Sequence, residues 1–229
     1  EIVDLANCLN KMGAKIEGAG TSNIKITGVK RLKDISYNIM PDRIEAASLL
    51  CMVAATGGKI KLNNIITDNI TPVINKLEEC GCKIEKEKNT VYLEAPRKLK
   101  AVDIKTMPYP GFPTDMQSVF ASMLTTAKGT SVIVENIFEN RYKFMAELKK
   151  MGAKITIEGK TAVIKGVRKL SGAKVVSTDL RGGAALVTAG LIAKGKTEIT
   201  NIEYILRGYE GLDKKLQQLG AKIEIKKDE

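Results

Sequence analysis

The sequence predicts a repetitive α/β (α+β) fold in which βαβαββ units build mixed sheets covered by helices. Two observations carry this. The stretch Lys11-Met12-Gly13-Ala14-Lys15-Ile16-Glu17 returns as Glu79-Cys80-Gly81-Cys82-Lys83-Ile84-Glu85, as Lys150-Met151-Gly152-Ala153-Lys154-Ile155-Thr156 and as Gln218-Leu219-Gly220-Ala221-Lys222-Ile223-Glu224. A period of roughly 70 residues marks a repeat architecture. A second landmark, an Asp before a run of small apolar residues, falls between these glycines at Asp42, Asp115 and Asp179. No such Asp precedes Gly13, so the chain is expected to open partway through a repeat, as the back part of a longer protein.

Each repeat follows one grammar. The landmark Asp is expected to cap a helix over residues 46–55, 116–127 or 180–193, with Glu45 completing a capping box at the first. Glycines at Gly57-Gly58, Gly129 and Gly195 are expected to close these helices. A strand ending at Asn64-Ile65, Asn136-Ile137 or Asn201-Ile202 follows, its apolar residues alternating as in Ile60 and Leu62 or Val132 and Val134. A second helix comes next. Over residues 141–151, Phe144, Met145, Leu148 and Met151 recur at helical spacing. Past the repeat glycine, residues 154–158 and 161–165 around Gly159 read as a hairpin. Residues 9–32 match only the back half of a repeat, and residues 221–227 supply one strand without a return. Residues 1–38 are therefore read as the tail of another domain, and 39–229 as most of a second domain holding three repeats.

Composition narrows function. Apolar residues make up 44% and charged ones 28% of the 229, ordinary for a globular protein. The longest apolar runs are too short to cross a bilayer, and no secretory signal is visible, so a cytoplasmic location is expected. The net charge of +11 suits anionic partners, whether nucleic acid or small anions. Aromatics amount to 4% and the lysines form no basic block, which argues against a nucleic-acid platform. The pair Cys80-x-Cys82 has no second pair and no histidine to complete a metal site, and reads as small core residues in a reducing compartment. With no histidine anywhere, proton transfer falls to carboxylates, Lys, Arg, Tyr or Cys.

The repeats act as internal controls: positions that break the pattern are the candidate site. Asp115 reads first as a plain cap, yet Pro108, Pro110, Gly111 and Pro113 give it a stiff approach unlike those of the other repeats. Arg181 occupies the slot of Ile44 and Gln117. It is either a solvated arginine or, flanked by Gly182-Gly183 at a helix start, a ligand for an anion. Arg207-Gly208-Tyr209-Glu210 is expected to open the last helix where the second repeat has Glu139-Asn140-Arg141-Tyr142, and two arginines at two helix starts can clamp a carboxylate and a phosphate.

These residues also carry a resemblance. Pro110-Gly-Phe-Pro-Thr-Asp-Met-Gln117, Asn136-Ile-Phe-Glu-Asn-Arg-Tyr142, Asp179-Leu-Arg-Gly-Gly-Ala-Ala-Leu186 and Arg207-Gly-Tyr-Glu210, in order and at their spacing, resemble the UDP-N-acetylglucosamine 1-carboxyvinyltransferases, over roughly the C-terminal half of those enzymes. The resemblance implies two domains closing on a cleft, and transfer of the enolpyruvyl group of phosphoenolpyruvate to the sugar 3-hydroxyl in peptidoglycan synthesis, hence in cell-wall growth and division. It implies no cofactor and no metal, and small-molecule partners with neither nucleic acid nor membrane. It makes Asp115 the carboxylate at the sugar hydroxyl and its general base. Ile137 and Phe138 would line the uridine nucleotide, and Arg181 and Arg207 would hold phosphoenolpyruvate with Asp179 beside them. The family's Lys-Asn pair and mobile-loop cysteine match nothing here, so the chain alone is expected to be inactive. Leu206 and Gly182 depart from a common Asp and Ala. A shikimate-type transferase, a basic nucleic-acid-binding relative and oligomers through open strand edges stand as alternatives.

Overall fold

The computed structural model describes residues 1–226. They form a small compact unit, Glu1–Asp42, and a large one that begins at Arg43. In the small unit, helix α1 (Ile2–Lys11) leads into an antiparallel hairpin of β1 (Lys15–Glu17) and β2 (Lys25–Thr27), with Ile16 opposite Ile26. The segment after the hairpin is tied back to α1. The Tyr37 hydroxyl donates to Asp4 Oδ1 at 2.9 Å, and the Lys11 ammonium lies 4.9 Å from the Tyr37 ring centroid.

The large unit opens with α2 (Arg43–Thr56), β3 (Lys59–Asn63), a 3-10 turn (Thr67–Ile70), α3 (Thr71–Glu79), β4 (Lys83–Glu87) and β5 (Thr90–Glu94). The second repeat is β6 (Ile104–Lys105), α4 (Thr114–Leu124), β7 (Thr130–Val134), α5 (Phe144–Lys150), β8 (Lys154–Glu158) and β9 (Thr161–Lys165), the full βαβαββ pattern. Its sheet has the order β6-β7-β9-β8. The pair β6/β7 is parallel and the rest antiparallel, so the sheet is mixed as the sequence predicts. The first repeat has the sheet order β3-β5-β4. The third comprises β10 (Leu170–Ser171), β11 (Lys174–Val176), α6 (Leu180–Ile192), β12 (Ala193–Lys194), β13 (Glu198–Thr200), α7 (Glu203–Leu206) and α8 (Leu212–Gln218). Here β10 pairs with β12 and β11 with β13, both parallel. The strand expected over 221–227 is not formed across 221–226, which pair with no other strand among the described residues; Lys227 falls outside them.

The repeat motif has one physical job. Gly13, Gly81, Gly152 and Gly220 have φ of 99°, 99°, 93° and 93°, the left-handed conformation that ends a helix without a Cβ penalty. The following N–H then reaches back to an orphan helix carbonyl: Ala14 to Leu9, Cys82 to Leu77, Ala153 to Leu148 and Ala221 to Leu216, at 2.9–3.1 Å. The residue before the glycine is also used alike. The carbonyls of Met12, Cys80 and Met151 accept from the amides of Lys33, Lys100 and Ser171. Cys80 and Cys82 are buried as core residues, and burial raises both thiols, Cys80 to about 12 and Cys82 to about 11.

Helices α2, α4 and α6 pack against one another and are buried almost all round, as helices apolar on every face must be. Most of their few polar side chains bond to neighbouring backbone, but both amide atoms of the buried Gln117 in α4 lack a hydrogen-bond partner among the described residues. Ser118 and Ser122 of α4 donate to the Arg181 and Ala185 carbonyls of α6 at 2.9 and 2.7 Å. Of the glycines expected to close these helices, only Gly57 (φ 77°) directly follows its helix. Helix α4 stops at Leu124, where Thr125 bonds back to Ser122, and α6 passes straight into β12. Gly129 and Gly195 therefore serve later turns. Among the described residues no helix is long and apolar enough to cross a membrane.

Candidate active site

The N-terminal turns of α4 and α6 meet at an Asp–Arg cluster. Asp115 is not the cap of α4. Pro113, with extended φ and ψ of −72° and 133°, occupies the cap position, which leaves Asp115 inside the first turn with its carboxylate free for other work. That work is to bind two guanidinium groups. Arg141 Nη2 donates to Asp115 Oδ1 at 2.6 Å, and Arg181 Nη2 donates to Oδ2 at 3.0 Å. Burial pushes the Asp115 carboxyl up, but Arg181 and Arg141, through charge and hydrogen bonds, outweigh it and hold the group below its ordinary value. Burial likewise opposes the charge of Arg181, and Tyr209 and Asp115 more than restore it.

Each arginine is further braced. Arg141 Nη1 donates to Thr114 Oγ1 at 3.1 Å and its guanidinium sits 4.6 Å from the Phe138 ring centroid. Arg181 lies 5.6 Å from the ring centroid of Tyr209, a fully buried residue whose hydroxyl is 2.9 Å from Ser48 Oγ. Aromatic faces hold a guanidinium without neutralising it, which keeps its charge available.

Asp179, by contrast, is the cap of α6. Its Oδ1 accepts from the amides of Arg181 and Gly182 at 3.0 and 2.9 Å, as the sequence predicts. Arg207 does not open a helix. It follows the last residue of α7, and α8 begins only at Leu212, after Gly211 has taken a left-handed φ of 56°. Arg207 is exposed, and its guanidinium lies 5.6 Å from the Tyr204 ring centroid.

A groove of about 370 Å³ runs beside Asp115. Its walls include Arg43, Tyr109, Thr114, Ile137 and Phe138. Tyr109 is fixed at one edge, its hydroxyl donating to Asn69 Oδ1 at 3.3 Å and its ring 5.8 Å from the Arg43 guanidinium. The structure thus brings Asp115, Arg181, Ile137 and Phe138 into one neighbourhood and holds Asp179 at its edge through the cap. Arg141, Thr114 and Tyr209 join the cluster although sequence reading gave them no role. The repeat offers a signal for two of them, since aligning Arg207-Gly-Tyr-Glu210 with Glu139-Asn-Arg-Tyr142 sets Tyr209 against Arg141. Among the described residues no group of histidine, cysteine or acidic side chains could hold a metal ion.

The enolpyruvyl transferase NikO from Streptomyces tendae shares this architecture. It superposes with a TM-score of 0.84 at 26% identity, over 96% of this chain and 53% of that one. An EPSP synthase from Acinetobacter baumannii shares the fold at a TM-score of 0.78 and 21% identity, over 97% of this chain and 55% of its own. The architecture is therefore that of the enolpyruvyl transferases, and the EPSP synthase (3-phosphoshikimate 1-carboxyvinyltransferase) family model matches residues 1–216. UDP-N-acetylglucosamine 1-carboxyvinyltransferase 1 of Caldanaerobacter subterraneus subsp. tengcongensis is 57% identical over 97% of this chain and 54% of its own length. The enzyme of the same name from Thermodesulfovibrio yellowstonii is 56% identical over 98% and 54%. That from Desulfofundulus thermocisternus is 54% identical over 96% and 91%. The chain belongs to the EPSP synthase family, in its UDP-N-acetylglucosamine 1-carboxyvinyltransferase branch. It spans about half the length of most of the curated relatives it matches.

Proposed function

We propose that this chain forms the C-terminal part of a cytoplasmic transferase that moves the enolpyruvyl group of phosphoenolpyruvate onto the 3-hydroxyl of UDP-N-acetylglucosamine, in peptidoglycan synthesis. On this reading residues 1–38 complete the other domain, and the three repeats after them form most of the second. The observation that carries the reading is the Asp115 carboxylate set between two arginines on the wall of a groove. The identity to relatives of that name, above 50%, favours the nucleotide sugar over shikimate as acceptor.

The chemistry follows from the residues. The nucleotide sugar lies along Ile137 and Phe138 with its 3-hydroxyl at Asp115. As C3 of phosphoenolpyruvate takes a proton from an acid outside this chain, the sugar oxygen bonds to C2 and Asp115 removes the hydroxyl proton. The tetrahedral phospho-ketal then expels phosphate while C3 gives up a proton, which restores the double bond. Arg181 and Arg207 stabilise the substrate carboxylate and the leaving phosphate, and Asp179 holds the turn that presents Arg181. A carboxylate paired with two guanidinium groups is a weak base. The arriving anion competes for Arg181, loosens its hold on Asp115 and so returns basicity to the carboxylate when the acceptor is in place.

The test is a chimera in which this sequence replaces the matching part of the Caldanaerobacter relative. Release of phosphate from phosphoenolpyruvate, dependent on UDP-N-acetylglucosamine, is the expected result. A folded chimera that releases none, or that accepts 3-phosphoshikimate instead, overturns the reading.

A further inference from the structure

Glu135 follows β7 and is 1% exposed, yet the chemistry above gives it no part. Its carboxylate gathers four donors from three segments. Oε1 accepts from Thr106 Oγ1 at 2.8 Å, from the Ile137 amide at 2.8 Å and from the Phe138 amide at 3.2 Å. Oε2 accepts from Thr114 Oγ1 at 2.8 Å. A buried carboxylate saturated in this way is rigid, and so is whatever it holds.

Its two oxygens hold two different parts of the site. Through Oε1 it fixes the backbone of Ile137 and Phe138, the residues on the groove wall. Through Oε2 it orients Thr114, whose hydroxyl hydrogen goes to Glu135 while its lone pair accepts from Arg141 Nη1 at 3.1 Å. Arg141 in turn binds Asp115. An unbroken chain therefore runs from Glu135 through Thr114 and Arg141 to Asp115. The arms meet again where the Arg141 guanidinium lies over the Phe138 ring.

The repeats show that the fold itself does not require this acid. The same position is Asn63 in the first repeat and Thr200 in the third. There the following asparagines, Asn64 and Asn201, turn the chain with left-handed φ of 58° and 56°. In the second repeat the turn is held from inside, Asn136 donating its amide to Thr106 Oγ1 at 2.8 Å and its side-chain Nδ2 to the Thr106 carbonyl at 3.1 Å. A carboxylate replaces a plain turn only in the repeat that carries Asp115.

We infer that Glu135 is a positioning residue that sets the nucleotide-sugar wall of the groove and the Arg141–Asp115 pair together, so that acceptor binding and base placement share one anchor. The inference rests on the function proposed above. Glu135→Gln keeps the shape but removes the charge that strengthens both sets of hydrogen bonds and turns one acceptor oxygen into a donor, so it weakens both arms. In the chimera it is expected to raise the KM for UDP-N-acetylglucosamine and to lower kcat, each by about tenfold, with little change in the KM for phosphoenolpyruvate. Thr114→Val cuts only the second arm and is expected to lower kcat with the nucleotide-sugar KM nearly kept, whereas Thr114→Ser restores most of the lost rate. Calorimetric binding of UDP-N-acetylglucosamine reads the first arm without turnover, and thermal unfolding run in parallel shows which variants are folded at the assay temperature. If Glu135→Gln does not fold, the contrast between Thr114→Val and Thr114→Ser decides the matter. Unchanged kinetics in folded Glu135→Gln, or equal rates for the two Thr114 variants, overturns the inference. An inactive parent chimera overturns the functional reading instead.

Discussion

The second and third repeats place the same residue, an Asp before an apolar helix, to opposite ends. In the third, Asp179 caps α6 by accepting two of its own backbone amides. In the second, Pro113 takes the cap position of α4 and Asp115 moves into the helix, where its carboxylate binds Arg141 and Arg181. The partners of the two helix starts correspond as well: Arg141 and Tyr209 align between the repeats, Arg141 pairing with Asp115 and Tyr209 lying against Arg181. One scaffold slot thus caps its helix in the third repeat and forms ion pairs in the second, where Pro113 holds the cap position. The difference teaches that a helix cap and an ion-paired carboxylate are neighbouring solutions to the same local sequence.

Removing Asp115 breaks this comparison most severely. Asp115→Asn leaves two largely buried guanidinium groups short of their counter-charge, and is expected to cost about 1–3 kcal/mol of stability. In the chimera it should also lower phosphate release by about 10²–10⁴-fold, the range for losing a general base. The stability difference carries a pH signature. The native carboxyl is held below its ordinary value, so its stabilising contribution is complete above that value and is lost as pH falls through the depressed native one. Denaturant titrations should show the wild-type advantage over Asp115→Asn intact at neutral pH and closing in acid. A constant gap down to strongly acidic pH would mean that the ion pairs contribute nothing.

The same comparison explains what was legible in the sequence. The repeat period, the βαβαββ order and the hairpin at 154–165 could be read because they depend on short-range rules, namely glycine in the left-handed region and alternation along strands. The Asp179 cap was legible for the same reason. Asp115 was misplaced as a cap because Asp at a helix start looks alike in both repeats, and only coordinates show that Pro113 had taken the slot. Arg141 and Glu135 both break the repeat in sequence, but their roles stayed hidden because they depend on partners 26 and 21–29 residues away, across a sheet and a helix. Arg207 shows the converse failure. The motif around it was evident, but the helix it was expected to open starts at Leu212, beyond the turn at Gly211.

Gly183 sharpens the contrast by an intermediate amount. A Cβ there would fall 2.4 Å from Ile205 Cγ1 and 2.5 Å from Ser177 Oγ, too close for either to stay where it is. Gly183→Ala is expected to destabilise by about 1–3 kcal/mol despite the better helix propensity of alanine. At Gly182 a Cβ meets Thr178, Asp179 and Phe144 at 2.9–3.0 Å, so Gly182→Ala should be much milder. Urea midpoints of the two variants would settle their order. Equal losses would show that α6 can shift as a body, and that the Asp179 cap does not fix where Arg181 stands.

Substitution of Asp179 is the gentlest of the three and the most diagnostic. A cap contributes about 0.5–2 kcal/mol through hydrogen bonds that Asn or Ser can replace. Asp179→Ala should therefore lose about 1 kcal/mol while Asp179→Asn loses a few tenths. At Asp115 no such rescue is expected, because charge as well as hydrogen bonding holds Arg141 and Arg181. If Asp179 does nothing but hold the turn, Asp179→Asn in the chimera keeps the KM for phosphoenolpyruvate. If its carboxylate also takes part in placing that anion beside Arg181, the KM rises while the unfolding midpoint barely moves. Stability and KM thus separate the two duties, because a neutral cap can replace the hydrogen bonds of Asp179 but not its charge.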